Sequence, residues 1–229
     1  MIKDNVFQVQ SQISAACRAA GRDSQEVTLV AVTKTAPLSA IQEAIDAGVK
    51  HIAENRVQAG EVKFPALVAQ NSGIITHIIG HLQSNKAKDA IKIAALVQSV
   101  DSLKLANEID KQAAKLNKSM DILVQFNTAR EEQKFGALPD DPYALLDAIG
   151  QFAHINIKGL MTMAPYTEDQ GIIRKTFADL RAIRDGAAAR FKGHANIEMN
   201  IMSMGMSGDY KIAIEEGSTM IRVGSAIFQ

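Results

Sequence analysis

One alternation runs the length of this chain and limits the folds open to it. Short runs rich in β-branched residues are separated, again and again, by stretches with helical periodicity. Residues 27–34, "VTLVAVTK", are followed by "LSAIQEAIDAG", where Ile41, Ala44, Ile45 and Gly48 share one helical face. The same sequence of strand then helix recurs with "KHIAE" before 57–69, "ITHIIGH" before 85–93, "ALVQSVD" before 103–116 and "DILVQFNT" before 143–149. It continues with "INIKGLMTM" before 170–189, "IEMNIMSMG" before 210–216, and a last run, "TMIRVG". About eight strands separated by helices, with an extra helix over 6–20 in front, predict a closed (β/α)8 TIM barrel; an open doubly wound sheet is the alternative.

Composition narrows the function classes. The chain has 229 residues, is 47% hydrophobic and 22% charged, and carries a formal net charge of zero. Without clustered Lys and Arg there is little to release counterions, so neither a nucleic acid nor a membrane surface is expected as partner. Cys17 is the one cysteine, which excludes an internal disulfide or a thiolate metal site and suits a reducing compartment. The start, "MIKDNVFQVQ", lacks the apolar core of a signal peptide, and no apolar run approaches the roughly 20 residues of a spanning helix, so the expectation is cytoplasmic. No Pro/Gly/Ser-rich linker divides the chain, and the polar stretch 128–142 reads as a long loop, so residues 1–229 are expected to form one domain.

In such a barrel the loops that build a site leave from the C-terminal ends of the strands. Polar residues gather there: Lys34, then Glu54 and Asn55, His81, Asp101, Asn127, Thr162, the serines of "MSMGMSGD", and Arg222 with Gly224 and Ser225. A lysine at the barrel mouth is partly desolvated, which favours the neutral amine that attacks carbonyls; a snorkelling lysine with its head in water is the plainer alternative. Gly205, Gly208 and Gly224 allow close backbone approach, and Ser203, Ser207 and Ser225 supply hydroxyls beside amides, a construction suited to one phosphate. Two ordinary capped turns would read the same way. A phosphate cradle facing an imine-forming lysine points to pyridoxal 5'-phosphate (PLP).

The motifs "VAVTKT", "AENRVQ", "HIIGHLQSNK", "VDSLKLA", "LVQFNTAREEQKFG", "GLMTMAP", "IMSMGMSGD" and "GSTMIRVGSAIF" occur in this order over 27–228. In them the chain resembles the YggS/PROSC group, the pyridoxal phosphate homeostasis proteins, which share their fold with the N-terminal barrel of alanine racemase. The resemblance implies that Lys34 forms the internal aldimine with PLP, that Ser203 and Ser207 with the amides of Gly224 and Ser225 hold its phosphate, and that Arg222 faces the pyridine nitrogen. It also implies that Met204 packs near the cofactor and that Asn55 lines the mouth. Ala53 stands where the family usually has glycine, and the chain ends at Gln229, before the customary glycine, which bears on the last turn of the phosphate loop.

Arginine stays protonated, so beside the pyridine nitrogen Arg222 should keep that nitrogen unprotonated and make the cofactor a poorer electron sink. Other constellations are weaker. His77 and His81 lack the Glu of a zinc helix motif, and four residues of strand span about 13 Å, so metal binding there is not expected. Gln83, Asn85 and Lys86 belong to the family signature without an assigned role, and Ser84 reads as a helix cap. Lys134 reads as an exposed loop lysine, and Met161, Met163, Met199 and Met202 as barrel packing.

Three functions follow. The resemblance implies a non-catalytic carrier that holds PLP reversibly, takes part in vitamin B6 homeostasis and supplies apo-enzymes. The second is an amino-acid racemase, which needs a second base; the alanine racemases supply a tyrosine from an added domain of a partner subunit, and here only Tyr143, Tyr166 and Tyr210 could substitute. The third is an aldolase-type barrel whose Lys34 takes a phosphorylated sugar. The carrier, as a monomer, is the reading preferred.

Overall fold

In the computed structural model, which describes residues 1–229, the alternation becomes a closed barrel of eight parallel strands. Helix α1 (Ile2–Ala19) comes first, burying Val6, Val9, Ile13 and Cys17 at three- and four-residue spacing. Then follow β1 (Thr28–Val32), α2 (Leu38–Asp46), β2 (His51–Glu54), α3 (Val57–Gln70), β3 (Ile75–Ile78) and α4 (Ala87–Ile93). The second half runs β4 (Leu96–Val100), α5 (Leu103–Lys115), β5 (Met120–Gln125), α6 (Pro142–Gly150), β6 (Ile155–Met161) and α7 (Gln170–Arg190). It ends with β7 (Ile197–Ser203), α8 (Tyr210–Glu215), β8 (Met220–Val223) and α9 (Ser225–Phe228). Closure is made by β1, where Val30 lies opposite His51 of β2 on one side and Arg222 of β8 on the other.

Each strand has a helix-facing side and a side facing the barrel interior, because its side chains alternate. The larger core lies between sheet and helices and holds 52 buried residues. Inside the barrel a second cluster of 6 collects Val30, Ala53, Leu96, Leu123, Met161 and Met220. Stepping two residues along the same strands reaches Gln98, Gln125 and Arg222, all buried, so the interior is polar toward its upper end. Barrel interiors are ordinarily filled by bulky apolar side chains; this one departs from that beneath the mouth.

The expected boundaries move where local geometry overrides the pattern. β1 stops at Val32, so Lys34 sits in the turn beyond it rather than on the strand. β3 stops at Ile78, and His81 lies past its end. A 3-10 turn (Ser84–Lys86) precedes α4, and Gln83 rather than Ser84 occupies its cap position, without a side-chain bond. The short α9 has no apolar period of its own to announce it. The 128–142 loop folds back on β5, with Asn127 donating to the Glu131 and Lys134 carbonyls and Phe126 bridging to Ala137.

Candidate functional site

A pocket of about 650 Å³ opens at the C-terminal ends of the strands. Lys34, Asn55, Ser207, Arg222, Gly224 and Ser225 all line it. Ser203 and Met204 do not. Ser203 is completely buried below the floor, and Met204 is packed in the outer core with its amide donating to Met220 O at 3.1 Å. The alternation explains both positions. Ser203 is the last inward residue of β7 and lies under Arg222, while the next residue must turn outward.

Lys34 is exposed on the pocket wall, so the barrel itself does not provide the desolvation expected at this position. Its backbone is nevertheless tightly held. Glu54, only 1% exposed, accepts from Thr33 Oγ1 at 2.7 Å and from Lys63 Nζ at 2.7 Å. Lys63 Nζ also donates to Thr33 O at 2.8 Å, tying α3 to the turn that presents Lys34. Neither Glu54 nor Lys63 carries a sequence signal for this task beyond Glu54 standing at a strand end. Gly80 supports the neighbouring wall: a Cβ there would lie 2.2 Å from Asn55 O, so no other residue lets the two strand ends approach this closely.

Arg222 forms the floor. Its guanidinium donates to Ser203 Oγ at 2.6 Å and to Thr162 O at 2.9 Å, both neutral acceptors. Burial pushes its pKa down to about 10, partly opposed by the Asp209 carboxylate. Asp209 in turn has its pKa raised by burial, against the pull of the Met206 amide and Arg222; its Oδ1 accepts from Met206 N at 2.5 Å and shapes the 206–209 turn. Gly205, at φ 97°, starts that turn, and a Cβ there would lie 2.6 Å from Ala213 Cβ. The turn faces the start of α9 closely enough for Ala226 N to donate to Ser207 Oγ at 3.4 Å. The amides of Ser207, Gly208 and Gly224 donate none of the backbone bonds made outside the helices and strands, and Ser225 is the first residue of α9, where an amide has no partner within the helix. Amides of this kind near a buried cation suit an anion.

The opposite wall was the least legible. Lys134 belongs to it, donating to Ala164 O at 2.7 Å and pairing with Glu131 at 2.7 Å, which corrects the reading of an exposed loop lysine. His81 stacks on Phe135 with centroids 4.0 Å apart and lies 3.5 Å from Asp101. Met163 also reaches the pocket, whereas Met161, Met199 and Met202 are buried packing residues. Of the three tyrosines only Tyr166 lines the pocket, fully exposed at its rim. Tyr210 is buried and bonds Gln12, and Tyr143 lies against Arg190 on the outside of the barrel.

Residues 8–229 match the family described as alanine racemase, N-terminal domain. A pyridoxal phosphate homeostasis protein from Aquifex aeolicus is 36% identical over 225 residues, covering 98% of this chain and 96% of the relative. The chain belongs to this family. The solved structure of PipY, a Synechococcus elongatus protein with PLP bound, superposes with a TM-score of 0.84 at 33% identity and covers 100% of both chains. An alanine racemase from Clostridium difficile, at 16% identity and a TM-score of 0.75 over 56% of its own length, shares the fold alone. The closed parallel barrel is therefore of the alanine racemase N-terminal type. No helix is long and apolar enough to cross a membrane.

Proposed function

We propose that this protein binds pyridoxal 5'-phosphate reversibly and serves PLP homeostasis, with residues 1–229 acting as one cofactor-binding domain. The observation that carries the reading is the combination in one pocket of an exposed lysine amine, a buried guanidinium with neutral partners, and backbone amides that suit an anion. These residues fit the cofactor. PLP supplies an aldehyde that condenses reversibly with an amine. Lys34 would provide that amine, and Ser207 with the amides of Gly224 and Ser225 would hold the phosphate. Arg222 would donate to the ring nitrogen, keeping it unprotonated. Asn55 lines the wall between them. Ser203 and Met204 act from behind the pocket, Ser203 by holding Arg222 and Met204 by packing under the phosphate turn.

The donor at the ring nitrogen and the open mouth favour holding and releasing the cofactor over turning a substrate over. A racemase needs bases on both faces of the substrate carbon, and beyond Lys34 only Tyr166, at the exposed rim, has the required chemistry among the tyrosines. Recipient apo-enzymes and a monomeric state complete the reading. Incubating the PLP-loaded protein with an apo-enzyme of this cofactor, and assaying that enzyme's recovery beside alanine racemisation, tests it. Recovery without racemisation is expected; robust racemisation lost on Tyr166→Phe would replace the carrier with a racemase.

A further inference from the structure

A row of polar side chains crosses the barrel interior below the pocket, from Arg222 to the N-terminal end of β2. Arg222 donates to Ser203 Oγ, and Ser203 Oγ donates to Gln98 Oε1 at 2.7 Å. Gln98 Nε2 lies 3.0 Å from His77 Nδ1, and His77 Nε2 lies 3.0 Å from His51 Nδ1. Strands β4 and β7 are not neighbours in the barrel, so the bond between Gln98 and Ser203 crosses its centre. His77, Gln98, Ser203 and Arg222 are all at most 3% exposed.

The placement of the protons follows from the Arg222 end of the row. A guanidinium can only donate, so Ser203 Oγ accepts from Arg222 and its own proton goes to Gln98. That orients the Gln98 amide with its oxygen toward Ser203 and its NH2 toward His77 Nδ1 and Met220 Sδ, the latter at 3.2 Å. His77 Nδ1 must then be an acceptor, and the neutral ring carries its proton on Nε2, where His51 Nδ1 receives it. Turning Gln98 or His77 alone would set donor against donor in a dry interior, and turning the whole row would take the Gln98 acceptor away from the Ser203 proton. Burial agrees, pushing the His77 pKa down to about 3.

We infer that His77, Gln98 and Ser203 are positioning residues: His77 and Gln98 hold the Ser203 hydroxyl in place, and that hydroxyl, accepting from Arg222, sets the guanidinium toward the ring nitrogen of the bound cofactor. The inference rests on the cofactor reading above. It assigns a task to the first histidine of "HIIGH", which the sequence alone left unexplained. Ser203, expected on the phosphate, acts one bond behind the ring instead.

The test compares PLP with its 1-deaza analogue, in which a carbon replaces the ring nitrogen. Ser203→Ala is expected to weaken PLP binding about tenfold, the scale of one hydrogen bond to a charged group, leave the deaza analogue within about twofold, and be rescued by Ser203→Thr. Equal losses for both ligands, or no loss for either, overturns the inference. A second arm needs no ligand. Nitrogen-15 spectra of the ligand-free protein should find the His77 proton on Nε2, and Gln98→Leu should move Nδ1 to an unbonded shift; a proton on Nδ1 in the wild type overturns the chain. Should the wild type bind neither ligand, the cofactor reading falls and the imidazole spectrum alone decides the chain.

Discussion

Asp209 and Ser207 belong to the turn that the proposed function assigns to the phosphate, Asp209 shaping it and Ser207 facing the start of α9. The folded protein raises the Asp209 pKa above its ordinary value, so the folded state holds that proton more tightly than the unfolded chain. Its contribution to stability is therefore greatest in acid and is lost as pH rises through the folded pKa. Asp209→Asn keeps an oxygen for the Met206 amide and removes the buried charge. It should be more stable than the wild type to urea at neutral pH, with the difference vanishing below about pH 4. A variant less stable at neutral pH would mean that the attraction to Arg222 outweighs burial. Ser207→Ala removes the hydroxyl that bridges toward α9. It should weaken PLP binding by about 3- to 30-fold, read by equilibrium dialysis, while leaving the thermal midpoint nearly unchanged; unaltered affinity would take Ser207 out of the phosphate site. Residues that line the pocket were legible in the sequence where chemistry and strand-end position coincided, as at Lys34, Arg222 and Ser207. Ser203 and Met204 lie behind the pocket rather than on its wall, because one-residue differences at the end of β7 decide between interior, pocket and outer core, and a motif does not carry that register.

Elements decide how closely the walls of the pocket approach. The ends of β2 and β3 meet at Gly80, and Gly80→Ala would force a methyl into the Asn55 carbonyl. A loss of about 3 kcal/mol in urea unfolding is expected, together with weaker PLP binding as the Asn55 wall shifts. Wild-type stability in that variant would refute the close packing of these ends. The order of strands and helices was readable from periodicity because most strands, β4 and β5 above all, are buried on both faces and helices such as α1 and α5 bury one apolar stripe. The wall formed by the 128–142 loop was not. Lys134 and Phe135 reach the pocket because the Phe126–Ala137 bridge, and Asn127 and Gln125 bonding the Glu131, Lys134 and Phe135 carbonyls, draw the loop back, and such local bonds have no period to detect. The short α9 was missed for a related reason, being too brief to display one.

Across the whole molecule, the barrel carries an apolar outer core and a polar inner column, and the column should set its response to acid. The folded protein lowers the His77 pKa from the ordinary 6.5 to about 3, and burial lowers that of His51 as well. The unfolded chain then binds more protons between these values, so the stabilisation is complete above pH 6.5 and is lost as pH falls toward 3. His77→Gln should flatten that slope in chemical denaturation measured from pH 7 down to 4; an unchanged slope would place the acid sensitivity elsewhere. The same column underlies the cofactor account, because it supports Arg222 from below while Lys34 reaches in from the wall.

The most direct test of that account is the visible absorption spectrum of the purified protein with added PLP, taken beside Lys34→Ala, before and after borohydride. The wild type should show a band that differs from free PLP and that reduction fixes covalently to Lys34. The variant should still retain PLP through its phosphate, more weakly, with nothing fixed. Wild type and variant that both give the spectrum of free PLP, or a variant that binds as tightly as the wild type, would contradict it.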